Sequence, residues 1–413
     1  MVTTDIEYRG SKRLYRVGND DLEVDASGMK SLFFKLTTIG VGFLRIVQSD
    51  NSSVYEDYRD YGDCQDCDEQ VLEKIDADHA VFDDKIRVSV RVFADCEDSL
   101  RRARMTPTMD RNSFSLVIDM TDNQPTNMNN TFVISDHLHI EMVVTIPISL
   151  DHLEKLQLES NRQNIEINNL EGLFTESFSA KTNSGKISVN KHLRASAISL
   201  ETVNSALGPM TLSATTSLSA KTVCGAIEIQ QRPDWQHGST TSSVRLETVS
   251  GSIQGRFVAG QHFTVKNVSG SVDVAVDAPE SGSRPSVDLQ TVSGIVNGRV
   301  SIGKQLKLSS VSGPVELQLD PGTEAPEVKG STVSGDLTIY FLRPFAGDFT
   351  LTTLSGGVGI RASNERSVKY REKKKTKLSG RLSTKEVKVR EGSIRLFTMY
   401  GNIRLNLRTA GDL

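Results

Sequence analysis

Apolar and polar positions alternate along this chain in short runs, and from about Phe178 onward the runs recur with a shared punctuation. The unit is Thr-Val-Ser-Gly-x-aliphatic-x-aliphatic. It reads TVSGSIQG at Thr248, NVSGSVDV at Asn267, TVSGIVNG at Thr291, SVSGPVEL at Ser310, TVSGDLTI at Thr332 and TLSGGVGI at Thr353. Degenerate copies begin at Thr182, Thr222, Lys377 and Thr398. Two residues after each glycine stand Ile187, Ile227, Ile253, Val272, Val296, Val315, Leu337, Val358, Leu382 and Ile403, a column that is aliphatic throughout. Four residues after the glycine the aliphatic side chain mostly returns, which is the period of a half-buried strand. Gly255, Gly298 and Thr384 break that second column and predict local bends.

Upstream of the glycine, apolar residues sit seven and five places away (Phe263 and Val265, Val287 and Leu289, Leu306 and Leu308) and then two places away (Val268, Val292, Val311). Odd and even spacings cannot share one face of a flat strand, so the pattern predicts a corner or bulge near the Thr column.

The glycines recur about every 21 residues, with an irregular unit around Gly208 filling the one long interval. A fixed period of this length marks a solenoid. Such a coil, extended at about 3.3 Å per residue, is long enough for two or three short strands around a thin core. The expected fold is therefore all-β, a single-stranded, right-handed β-solenoid of about 21-residue coils. An antiparallel meander with Ser-Gly hairpins is the competing reading. It gives no reason for like residues to share a column, whereas in-register stacking does.

A hydrophobic content of 37% and an aromatic content of 6% over 413 residues suit a thin Ser/Thr/Val-rich solenoid better than a large globular enzyme. The net charge of −4 hides a division: residues 1–150 carry 27 acidic and 16 basic side chains, and the remainder is mildly basic. Residues 1–30 read as a polar, poorly ordered lead. Residues 31–150 read as an acidic β-rich unit that caps the solenoid, and residues 151–413 as the repeat domain. TTIGVGFLRIV places Leu44 and Ile46 after Gly42 at the repeat spacing, so it reads as a first coil. No signal peptide or transmembrane segment is visible, and the expected location is cytoplasmic.

With VVTIPISL before the array and strand, Thr-x-Ser-Gly, strand units through it, the chain resembles an adhesin-like β-solenoid repeat family of unknown function found in bacterial and fungal proteins. The resemblance covers roughly residues 130–413. It implies an architecture but no catalytic residues, because the family has none established.

Candidate chemistry is sparse. Cys64 and Cys67 lie in an acidic stretch where a zinc site would need Cys96 and a fourth ligand such as His79, and a redox pair would need a strand-to-helix setting that is missing; the favoured reading over both is a flexible acidic loop. His137 and His139 share one strand face, where a polar face is the simpler account. No metal and no cofactor is expected. The basic run Arg366 to Lys377 lacks the aromatic interleaving of a single-strand binder. It reads as a solvated loop that pairs with the acidic unit, so no nucleic-acid partner is expected.

The insertions carry more information. QRPDWQHGSTTSS (Gln231), DAPESGSRPS (Asp277), LDPGTEAPE (Leu319) and YFLRPFAGD (Tyr340) all fall between the second strand of one coil and the first strand of the next. Stacking places them along one edge, with Trp235, Arg343 and Phe345 as candidate anchors for an unknown protein or glycan partner. The expected role is a non-enzymatic, adhesin-like binding or scaffold protein. The alternatives are a filament-forming solenoid that self-associates end to end and a carbohydrate-active β-helix enzyme. An enzyme would need clustered ionisable groups on one face. The outward column four places before the glycine shows no carboxylate ladder.

Overall fold

The computed structural model describes residues 4–9, 12–38, 41–49, 84–94, 103–120, 138–232, 241–279, 282–322, 325–362, 368–383 and 391–407. All the regular structure among them is β, and the repeat units are coils of two strands stacked in parallel. Each first strand ends at the Thr-x-Ser-Gly corner and each second strand begins just after it, as in Ser286–Ser293 and Val296–Ile302. Like residues pair across coils: Val272, Val296, Val315 and Leu337 align in one ladder, and Val287, Leu306 and Val328 in the other. The parallel registers exclude the antiparallel meander. The core is the slot between the two ladders, and its aliphatic columns are sealed from solvent except in the outermost level, where Val358 and Ile360 are half-buried.

The corner differs from the expectation in an instructive way. Alternation in the first strand is not broken, because the Thr three places before the glycine is buried in phase with the residues at seven and five. The apolar residue at two places upstream points outward instead. Val249, Val268, Val292, Val311 and Val333 are 40–46% exposed and form a ladder on the outside of the corner. Spaced about 4.8 Å apart, these β-branched side chains cover one another rather than the core.

The Thr hydroxyls bridge coils. Thr202 Oγ1 donates to the Gly185 carbonyl at 3.3 Å, Thr248 to Gly225 at 3.3 Å, Thr398 to Gly335 at 3.4 Å and Thr353 to Gly401 at 3.1 Å. The corner N–H groups continue the ladder, with Gly294 donating to Ser312 and Gly313 to Ser334. The glycine itself is required twice over. Gly313 has φ +116°, and a Cβ placed on it would lie 2.2 Å from the carbonyl oxygen of Gly294 in the next coil.

The Thr column is not uniform, because Thr291 Oγ1 is buried with no hydrogen-bond partner. Thr248→Val should therefore lower stability by about 1 kcal/mol, while Thr291→Val should be neutral or slightly stabilising. Urea denaturation of the two variants checks this; equal losses would remove the Thr-to-Gly bridge as a contributor.

Gly255 and Gly298 do not bend their strands, since the register runs through both without a shift. At Gly255 the absent side chain leaves room for the Phe257 ring, which would lie 3.0 Å from a Cβ there. Thr384 lies outside the described residues. The irregular unit at Gly208 is a coil, with Leu207 paired to Ile187 and Ile227.

Coil order follows the sequence only in the middle. Near the amino end, Ser31–Leu36 lies between Ser113–Met120 and His152–Ser160, and Val41–Gln48 lies between His139–Ile146 and Asn164–Asn168. The first coil is thus enclosed by a later one. Near the carboxyl end, Gly392–Tyr400 and Ile403–Leu407 fill the level between Glu327–Phe341 and Gly347–Ala362. The chain skips that level and returns to it.

The Gly380 copy of the repeat is not a coil. Lys377–Leu382 runs antiparallel to Gly347–Ser355 and forms a hairpin with Val368–Lys373. Lys12–Asp25, expected within a polar lead, is a strand antiparallel to Lys85–Ala94. Ala103–Asp110, with Pro107 in it, closes the other ladder at the amino end; proline suits an outermost strand because it lacks the N–H that a further strand would need.

Candidate functional site

Most insertions leave the array at the end of a second strand, six to eight residues after the corner glycine, and the registers stack these exits on one edge. Val272–Asp277, Val296–Ile302 and Val315–Pro321 are successive neighbours, followed by Leu337–Phe341. Where no insertion intervenes, Ile187–Thr202 and Leu207–Lys221 run round this edge as continuous strands with register shifts. The edge is therefore tight at one end and looped in the middle.

The looped part holds a cleft of about 560 Å³. Asp277, Ser301 and Asp320 occupy one column of the second strands, and Arg256 and Arg299 a column two residues earlier. Arg284 enters from the 278–285 insertion and Arg343 from the 342–346 insertion. Asp320 is 8% exposed and lies between them: Arg343 Nε is 2.6 Å from Oδ1, and Arg284 Nη1 is 3.4 Å from Oδ2 while donating to the Asp320 carbonyl. Two glycines make Arg284's path. A Cβ on Gly322 would lie 2.7 Å from Arg284 Cδ, and one on Gly303 would lie 2.5 Å from the Arg284 carbonyl oxygen. Asp277 is likewise engaged, by Arg256 Nε at 2.6 Å. Both cleft carboxylates are thus neutralised, and among the described residues that line the cleft three arginines stand against two aspartates, with Arg256 beside them.

The sequence-level anchors separate here. Arg343 lines the cleft with its side chain 55% exposed. Phe345 is not a surface anchor: it is 4% exposed and packs on Phe341 with ring centroids 5.0 Å apart. An apolar ring at that point of a loop closes the end of the core slot, which sequence spacing alone does not distinguish from display. Trp235 lies outside the described residues. The flanks of its insertion are pinned by Gln231 and Thr241: Gln231 Nε2 donates to Thr241 Oγ1, and Val258 N–H donates to Gln231 Oε1. Arg284, Arg299 and Asp320 were missed, although the repeat alignment places Asp277 and Asp320 in one column beside two insertions.

The other candidates resolve differently. Cys64, Cys67, Cys96, His79 and His137 lie outside the described residues. His139 Nε2 is 2.9 Å from Glu141 Oε1 on the same strand. Among the described residues no group of three His, Cys, Asp or Glu side chains could hold a metal ion, and no helix is long and apolar enough to cross a membrane.

The basic run from Arg366 is described from Val368 onward, and it is a hairpin rather than a loop. Lys374 and Lys377 bind Glu372 within the hairpin, and Arg371 binds Asp348 of the adjacent strand. Hydrogen bonds from those two lysines hold the Glu372 carboxyl down at about 2. Because this value is depressed in the fold, the contribution is present above the ordinary carboxylate range and is lost as pH falls through about 2. An NMR titration of the Glu372 carboxyl should show a midpoint well below 4; a midpoint near 4.5 would mean that the pairs do not persist in solution.

The family model for Toastrack DUF4097 matches residues 85–406. Three crystal structures of provisionally named adhesion proteins are similar to this chain. An adhesin from Bacteroides fragilis covers 68% of this chain and 97% of its own, at 10% identity and a TM-score of 0.34. A cell adhesion protein from Clostridium sporogenes covers 94% and 99%, at 8% identity and a TM-score of 0.18. An adhesin from Parabacteroides merdae covers 80% and 93%, at 8% identity and a TM-score of 0.24. No curated protein matches.

Proposed function

We propose, from the premise that this chain belongs to the Toastrack DUF4097 family, that it is a non-enzymatic, adhesin-like binding scaffold whose recognition surface is the looped edge. One observation carries this reading: insertions from successive coils converge on one edge and there enclose a cleft of about 560 Å³. A stack of hydrogen-bonded coils makes a stiff backing, and loops displayed from a rigid array are where repeat proteins bind. The two cleft carboxylates are each held by arginine, an arrangement that suits a charged recognition surface better than proton transfer.

A pull-down and a glycan array with the full chain test the reading. Any ligand found should lose at least tenfold in affinity on Trp235→Ala with an unchanged melting curve, and on Arg343→Ala, which removes a partner of the Asp320 carboxylate and should melt somewhat lower. Lys266→Ala, on the outward face of the first-strand ladder, should bind as the parent does. Full binding by both edge variants would sink the proposal.

A further inference from the structure

We infer that the cleft between Arg284, Arg299 and Arg343 binds an acidic peptide segment, an inference that rests on the looped edge being the recognition surface. Arg284 is 17% exposed at its side chain and is committed to Asp320, so it fixes the floor of the cleft. Arg343 meets Asp320 through its Nε at 2.6 Å, and its side chain stays 55% exposed. Arg256 does the same with Asp277 while its side chain stays 67% exposed. Arg299 is exposed and has neither an ion pair nor a hydrogen bond among the described residues.

Three outward guanidinium groups therefore flank two carboxylates that are already neutralised. A guanidinium fork matches a carboxylate in a planar, two-bond geometry, which makes carboxylates its natural partners.

Spacing narrows the ligand further. Arg256 and Arg299 are two coils apart in register, and the strand leading to Arg343 is two coils beyond Arg299. At about 4.8 Å per coil, outward arginines recur about every 10 Å, the length of about three residues of extended chain. An acidic peptide laid along the edge as a polyproline II chain, with three residues per turn and about 3.1 Å per residue, can thus meet them with carboxylates three residues apart on one face. Among the described residues the cleft lining contains no aromatic ring, so it lacks the flat apolar faces on which sugar rings stack. This favours a peptide over an acidic glycan.

Fluorescence anisotropy with a labelled deca-glutamate peptide tests the inference at low and moderate salt, using the full chain. The expected results are saturable binding that weakens as salt rises, at least a tenfold loss on Arg299→Glu, and no binding of a deca-lysine peptide. Arg299 is exposed, so the variant should melt with the parent; Arg299→Lys should recover binding only in part. An oligogalacturonate of equal charge should bind at least tenfold more weakly than the peptide. The inference is overturned by absence of peptide binding, by unchanged binding in Arg299→Glu, or by an oligogalacturonate that binds as well or better. If the peptide fails while some other ligand still depends on Trp235 or Arg343, the ligand class falls and the edge stands. If nothing depends on the edge, both fall.

Discussion

Gly313→Ala should cost at least about 4 kcal/mol and leave little folded array at ordinary temperature. Two effects add. The residue sits at φ +116°, a conformation that costs a side chain about 1–3 kcal/mol. Its new Cβ would also lie 2.2 Å from the Gly294 carbonyl oxygen, a backbone atom that cannot turn away as a side-chain tip can. Gly282→Ala separates these contributions. Gly282 has φ +77° but nothing within 4 Å of the site of a Cβ, so the change should cost only about 1–2 kcal/mol. Urea midpoints for the two variants measure the difference. Similar values would mean that backbone strain alone selects glycine at the corner, and that the contact between coils does not.

Val296→Asp should be comparably severe, destabilising by at least about 4 kcal/mol at neutral pH. Val296 is 2% exposed, between Val272 and Val315 in the ladder, where no cation can reach a carboxylate. The penalty should shrink as pH falls, because burial raises the carboxyl's folded value and protonation removes the charge. Four residues upstream, Val292 is 45% exposed on the outer corner, and Val292→Asp should cost at most about 1 kcal/mol. Circular dichroism melts of the pair decide whether the two valine columns face opposite ways. A severe Val292 variant would return that column to the core.

Much of the fold was legible because stacking writes itself into columns. The aliphatic position two residues after the glycine, the coil around Gly42 and the irregular coil around Gly208 all fall where periodicity puts them. The outward valines misled because apolar character does not reveal which side a residue faces. Thr is small enough to be buried in the core once its hydroxyl reaches a carbonyl, and valine is favourable on an exposed ladder among its own kind. The interleaved ends were not legible for a different reason. Each coil presents nearly the same edge to either neighbour, so sequence order says little about which level a terminal coil will occupy. KLSGRLST shows the same limit: it carries the motif, yet Gly380 packs beside the Phe349 ring in an antiparallel strand. Within the site, Arg343 was readable from its insertion, whereas the fate of Phe345 depended on a neighbouring ring, Phe341, that spacing does not orient.

The return of the carboxyl-terminal coil to an inner level bears on how the molecule takes mechanical load. A tether pulling through residue 407 meets a coil gripped by parallel ladders on both sides, to Glu327–Phe341 below and Gly347–Ala362 above. An outermost coil could be peeled from a single neighbour, one hydrogen bond at a time. Here each residue released must give up bonds to neighbours on both sides. The threading thus turns the weakest place of a repeat array, its end, into one that resists unzipping under tension.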